Sequence, residues 1–342
     1  PTSDVVIVLT SSDTGEATVN SPLTFTAANW DTPQTITVTG ADDGSVVDGG
    51  QTSTITISID DANSNDSFDS VTDQTVTVTT TDDDVAGFTI SETNGSTEVD
   101  ESGTTDTFTV VLDAQPTSDV LLSLSINDAS EASVSSSLTF TPINWDSPQT
   151  VTVTGLDEET VDGTQTSTIT ISVVDAVSND SFDAVADQTV LVTTTDDDVA
   201  GFTVVELGGS TEVDESGTTD TFTVVLDAQP TSDVVIVLTS SDTGEATVNS
   251  PLTFTAANWD TAQTVTVTGA DDDLVDGTIT STITLAIDDA NSDDSFDAIT
   301  NQTVSVDTTD DDVAGFTIVE LGGSTEVDES GSTDTFTVVL DA

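Results

Sequence analysis

The 342-residue chain contains no lysine, arginine or histidine against 65 aspartates and glutamates, so its formal charge at neutral pH is -65. No side-chain salt bridge can form within it. At such a charge self-repulsion opposes compaction, and carboxylates gathered in one place need an external cation or a raised pKa. Nucleic acid and anionic membrane surfaces are disfavoured as partners, because both are polyanions and the chain has no cationic patch to displace their counterions. Cysteine is absent, which removes disulfides and thiolate metal sites. Tyrosine is absent as well, and with His, Lys and Cys also missing most nucleophiles and general bases are gone, so no enzyme is expected. No apolar run reaches transmembrane length, and no membrane insertion is expected. A chain that opens on Pro1 and has no methionine reads as part of something longer.

High charge with few aromatics would suit disorder, yet 34% of residues are apolar and they alternate with Thr and Ser in short runs rich in Val and Ile. That pattern specifies strands. It also recurs: Trp30, Trp145 and Trp259 are spaced by 115 and 114 residues, and Phe88, Phe202 and Phe316 by 114 each. A period of this length is a whole domain and not a solenoid turn. The expected division is 1–87, an incomplete copy; 88–201 and 202–315, two complete copies; and 316–342, the start of a further copy. Residues 1–32 repeat as 230–261 without a change.

In the third copy seven strands are predicted, beginning at Gly201, Thr219, Asp233, Pro251, Gln263, Thr280 and Asn301. Seven short strands in about 110 residues, with no helical period, give an all-β fold of tandem seven-stranded antiparallel β-sandwiches arranged head to tail. The expected core comprises Phe222, Val224, Leu226, Val235, Val237, Leu252, Phe254, Val265, Val267, Ile283, Leu285, Val304 and Val306, alternate residues that share one face.

In a succession of antiparallel strands, alternate loops fall at opposite ends. The acidic loops STEVDESG, SSDTGEA, ADDDLVDG and TTDDDVAG therefore share one end. The loops AQPTSD, ANWDTAQ and DDANSDDSFD share the other. The DDDVAG linker is short, so the acidic end of one copy is expected against the base of the next. Six or more carboxylate oxygens from four loops, with no His or Cys, describe a hard-cation site, and they suit calcium better than magnesium.

The order VDESG, TFTVVLDAQPTSDVVIVLTSSDTGEATV, LTFTAANWDTxQTVTVTGADDD and closing DDDVAG resembles the Calx-β-like repeats found in tandem in large bacterial surface proteins, over nearly the whole chain. The resemblance implies Ig-like sandwiches that bind several Ca2+ per chain at one end. It places ligands at Glu215, Asp242, Asp271, Asp272, Asp276, Asp310, Asp311 and Asp312 in the third copy. The second copy matches with Glu101, Asp128, Asp157, Glu158, Asp162, Asp196, Asp197 and Asp198. The first copy lacks the first two strands and offers Asp13, Asp42, Asp43, Asp48, Asp82, Asp83 and Asp84; the tail offers Glu329.

Other features admit two readings. Asp289, Asn291, Asp293, Ser295 and Asp297 have the spacing of an EF-hand loop, without its Gly and Glu, or of an Asx-rich turn. The Trp of each NWD is a core plug or a sugar platform. The tail from Phe316 and the head up to Gly87 together make one period of 114, so copies join head to tail, in a continuous array or by strand donation. The expected function is an extracellular, cell-surface structural fibre or adhesin stalk stiffened by calcium at its junctions. The alternative is a module that binds carbohydrate or a cell-surface protein.

Overall fold

A computed structural model describes residues 1 to 341, and these form two compact units: residues 1–157 with 166–195, and residues 158–165 with 196 onward. Both are built from strands, and the described residues contain no α-helix, only short 3-10 turns. In the second unit two sheets face each other. One has the order Phe202–Glu206, Thr219–Leu226, Gln263–Gly269, Ala246–Val248; the other has the order Thr211–Asp214, Gln302–Thr309, Ile279–Ile287, Val234–Ser240, Leu252–Phe254. Period-two alternation drives this layering. In Thr219–Leu226 the residues Phe222, Val224 and Leu226 are buried, while the Thr and Val between them are half-exposed. Each such side chain contributes roughly 1.5–3 kcal/mol of burial. Together they offset the self-repulsion of the acidic surface.

The sandwich has nine strands and not seven, because two short ones, Thr211–Asp214 and Ala246–Val248, form inside predicted loops. The first arises where Gly208 and Gly209, at φ +109° and +90°, turn the chain across to the opposite sheet. There Thr211–Asp214 runs parallel to the last strand, with Val213 opposite Thr308. Four residues with two acids lie below what alternation can reveal; the Gly pair was the available signal.

The expected core is met at eleven positions and is out of phase at two. Val235 and Val237 are half-exposed, whereas Val234, Ile236 and Leu238 are buried. The sequence VVIVL is apolar on both faces, so composition leaves the parity open. Cross-strand pairing decides it: Leu238 sits opposite buried Leu285, and Ile236 opposite buried Leu252. Ile236→Ala should cost about 2–5 kcal/mol and Val235→Ala under about 1 kcal/mol, as read from urea midpoints. Equal costs would restore the original phase.

The first unit contains a sandwich of the same plan over residues 88–195 and, before it, a partial one. The partial one has the sheet Leu23–Phe25, Val5–Ser11, Gln51–Ile59, Gln74–Thr80, opposite only Ala17–Val19 and Val38–Gly40. Nothing within it corresponds to the hairpin of Phe202–Leu226. Acidic end meets base within this unit, as the short linker requires: Val46–Val47 pairs parallel with Gln115–Pro116, and the Gln115 amide donates to the Ser45 carbonyl at 2.6 Å. Val47 joins the core of the following sandwich and Ala86 packs against it.

Trp145 and Trp259 pack on the edges of their cores. Their carbonyls accept from the Leu112 and Leu226 amides at 3.1 and 3.2 Å. That is the plug role. Trp30, in the partial sandwich, is 61% exposed.

Candidate metal centre

The centre is clearest in the second unit. Strand Thr211–Asp214 ends in a tight turn in which the Asp214 carboxylate accepts from the Ser216 amide at 2.9 Å, and Gly217 has φ +88°. The turn lies on the end of Gln263–Gly269 so closely that a Cβ on Gly269 would stand 2.2 Å from the Asp214 carbonyl oxygen, which only glycine allows. This holds Glu215 fully buried at the sandwich end, its amide donating to the Thr309 carbonyl at 3.1 Å.

Neither carboxylate oxygen of Glu215 has a hydrogen-bonding partner of good geometry. Burial is the main cause that raises its pKa, followed by the charges of Asp310, Asp272 and Glu245, against a weak opposing pull from the Asp311 amide. A desolvated carboxylate surrounded by like charges is held at a cost unless a cation joins it.

Two sets of oxygens converge there. One oxygen each from Glu215, Asp272 and Asp312 lie within 4.8 Å of one another, and so do oxygens from Glu215, Glu245 and Asp276. Glu215 belongs to both sets. Glu245 is 5% exposed with one oxygen unpartnered, and burial followed by Asp276 and Asp272 raises its pKa. Asp312 has a buried unpartnered oxygen too, and it is raised by burial and then by Asp310.

Asp310 does something different. Its carboxylate accepts from the Gly277 amide at 2.8 Å and from the Asp312 amide at 2.8 Å, and these bonds hold its pKa low. It clasps the linker to the loop of Asp271–Gly277 and presents Asp312. All-oxygen donors from three loops and a linker, with no nitrogen or sulfur, fit a hard cation of calcium type.

In the first unit the partial sandwich repeats much of this. One oxygen each from Glu16, Asp43 and Asp48 lie within 4.8 Å of one another. Asp82 accepts from the Asp48, Gly49 and Asp84 amides at 3.0, 2.7 and 2.8 Å, and Gly49 is the chief cause of its lowered pKa. Asp84 is raised, first by burial. In the same unit Glu101 is fully buried and Glu131 is 5% exposed, each at the place of Glu215 and Glu245. Asp196, in the second unit, clasps the Asp162 and Gly163 amides at 3.1 and 2.7 Å and the Asp198 amide at 2.8 Å.

Several expected ligands do other work. Asp13, Asp128 and Asp242 cap their own turns, accepting from Gly15, Ser130 and Gly244 amides at 2.9, 3.1 and 3.0 Å. Asp42 likewise accepts from Gly44 at 2.9 Å. Asp83, Asp157, Asp197, Asp271 and Asp311 are exposed, Asp162 is half-buried, and Glu329 is exposed in the tail. The glutamates Glu16, Glu131 and Glu245, one per copy, stand in the converging positions instead of the aspartate three residues earlier. A signal was present: each precedes an alanine, Ala17, Ala132 and Ala246, that is fully buried. An acid beside a core alanine is already at the wall of the sandwich.

The loop with EF-hand spacing folds as an Asx turn. Asp293 accepts from the Ser295 amide at 3.0 Å, from the Thr231 hydroxyl at 2.6 Å and from the Ser232 amide at 2.7 Å. Burial pushes its pKa up, but those bonds prevail and hold it low. Asn65 and Asn179 occupy the same place and accept from Ser67 and Ser181, so a carboxylate is not required.

No protein-family model and no curated protein matches the chain. Similar solved structures include domains 4–9 of the surface layer protein SbsC, at 18% identity and a TM-score of 0.27, covering 92% of this chain. This chain spans 40% of the length of that fragment. They also include CBD12 from CALX1.2, at 12% identity and a TM-score of 0.27 over 64% of this chain and 99% of that one. The calcium binding domain CBD12 of CALX1.1 is similar at 13% identity and a TM-score of 0.24, over 58% and 79%. Overlays this loose define no family.

Proposed function

We propose that this chain is a structural module of an extracellular or cell-surface array, in which Ca2+ binds the acidic end of each sandwich and stiffens the linker to the next. The observation that carries this is Glu215: a fully buried carboxylate with unpartnered oxygens, shared by two converging acidic sets, in a chain with no cationic side chain to meet it. The linker enters the same centre. Asp312 belongs to one set, and the equivalent Asp84 leads through two residues to Gly87 and the next sandwich. A cation would therefore fix the linker's path as well as neutralise it. The parallel pairing of Val46–Val47 with Gln115–Pro116 gives that path a backbone anchor inside the first unit.

The biochemical role that follows is mechanical and not catalytic. Small-angle scattering from the whole chain should show a stiff particle in calcium and a flexible one in excess chelator. Identical profiles in the two conditions would sink the reading. The carbohydrate- or surface-binding alternative has Trp30 as its best aromatic, and the complete sandwiches spend their equivalents as plugs.

A further inference from the structure

In each complete sandwich the chain enters at one end and leaves at the other, and an early strand lies beside the last one. The short strand Thr211–Asp214 runs parallel to Gln302–Thr309, with Thr211 opposite Val306 and Asp214 opposite Thr309. Thr309 ends the last strand, and the linker of Asp310 to Asp312 begins there. Thr211–Asp214 is fed from the opposite end, through Phe202–Glu206. Thr219–Leu226 folds back from the tight turn after Asp214, so Phe202–Glu206, antiparallel to it, runs the same way as Thr211–Asp214. The other complete sandwich repeats the arrangement: Thr97–Asp100 runs parallel to Gln188–Thr195, with Thr97 opposite Val192 and Asp100 opposite Thr195.

This topology decides how a sandwich carries tension. A pull on the two flanking linkers draws Thr211–Asp214 toward one end and Gln302–Thr309 toward the other, so the strands must slide along each other. The bonds of a parallel ladder are evenly spaced, and sliding loads all of them together. Lifting one strand from its end would load them one by one. The pair is also shielded from water: its inward residues Thr211, Val213, Val306 and Thr308 are at most 3% exposed, and hydrogen bonds are stronger in such surroundings. The Glu215 amide adds a further rung to the Thr309 carbonyl at 3.1 Å.

The acidic centre sits at the end of this pair. Glu215 directly follows the first strand, Asp312 lies in the linker that follows the second, and one oxygen from each meets one from Asp272 within 4.8 Å. Sliding separates them, because Glu215 travels with one strand and Asp312 with the other. We propose that the parallel pair is the load-bearing clamp of the complete sandwiches, and that in residues 202–315 a cation at the centre locks it, so that tension and cation occupancy oppose one another. The lock rests on the cation reading above; the clamp does not. Coupling of this kind is reciprocal. A loaded sandwich therefore gives up its cation more readily than a slack one.

Optical tweezers on the whole chain test both parts. The chain has no cysteine, so thiol handles attach only where they are placed. Val199→Cys with Val313→Cys, at linker residues 77% and 78% exposed, pulls the sandwich of residues 202–315 along the clamp. Ser216→Cys with Val313→Cys, both exposed, grips the two strands at the same end and peels them apart. In chelator the first pair of handles should need several-fold more force to unfold the sandwich than the second. Equal forces, or a weaker linker-to-linker pull, would overturn the clamp. In calcium, unfolding under a fixed load on the linker handles should slow by at least about tenfold, because contacts broken before the barrier act on the unfolding rate. Glu215→Gln should lose that slowing while still resisting the linker pull better than the peel in chelator. An unchanged lifetime in calcium, with the melting temperature of this sandwich still raised by calcium, would overturn the lock and leave the cation reading standing. If calcium moves neither lifetime nor melting, the cation reading falls with the lock, and the clamp stands on its result in chelator.

Discussion

Adding calcium to the chelated chain should raise the melting temperature of each complete sandwich by about 15 °C, and Glu215→Gln should abolish the rise in the sandwich that holds it. The size follows from linkage: at about a thousandfold excess over Kd, binding to the folded state alone adds about 4 kcal/mol. A domain of roughly 110 residues gains about 4 °C per kcal/mol. Glu215 is the residue to change because both converging sets contain it. The variant should also reverse sign with condition. Without calcium, the wild type carries a buried carboxylate raised by burial and by three like charges, so replacing it by a neutral isostere should stabilise the fold. With calcium, the same change removes a ligand and should destabilise relative to wild type. Asp242→Asn is the control, since Asp242 caps its own turn and belongs to neither set; its calcium response should match wild type. Differential scanning calorimetry in chelator and in calcium reads all of this. A Glu215→Gln chain that gains as much from calcium as the wild type would remove the centre from these residues.

The sandwich was legible because its signals are redundant. Alternation in Thr219–Leu226 and Gln263–Gly269 fixes the buried face, and three copies repeat it. Legibility ended where one signal had to act alone. VVIVL has no alternation, so its phase waited for the pairing with Ile279–Ile287. TEVD is too short to register as a strand, and its parallel pairing with Gln302–Thr309 depends on a sheet that forms from residues some 90 positions away.

The centre follows the same division. That acidic loops gather at one end is a matter of strand parity, which the sequence shows. Which acid turns inward is a matter of turn geometry, which it shows less well. SSDTGEA offers Asp242 and Glu245 equally to a reader; the turn uses the shorter side chain to cap Gly244 and leaves the longer one beside Ala246 to reach the centre. DDD likewise divides its labour: Asp310 binds amides, Asp311 is exposed and Asp312 converges with Glu215. Three identical residues acquire three roles because the backbone turns between them.

Acidity should act in opposite directions on the two forms of the protein. In chelator, stability should rise as pH falls from 8 toward about 5. Glu215, Glu245 and Asp312 have folded pKa values above their unfolded ones, so the folded state binds more protons through that window and gains stability as they bind. Relief of the net charge of -65 adds to the same trend. The gain should end below about pH 4, because Asp310 and Asp293 have lowered folded values; their stabilisation is present above the unfolded pKa and is lost as pH falls through the folded one. With calcium bound, the slope should reverse. Protons then compete with the cation for Glu215, Glu245 and Asp312, so acid removes the bound-state stabilisation before it relieves any repulsion. Melting temperatures at pH 8 and pH 5, each in chelator and in saturating calcium, should therefore cross. Glu215→Gln and Glu245→Gln together should flatten the chelator slope for the third sandwich and leave Asp310 and Asp293 to set its acid limit. Parallel curves in calcium and chelator would mean that the buried carboxylates are neutralised by protons alone, with no cation at the centre.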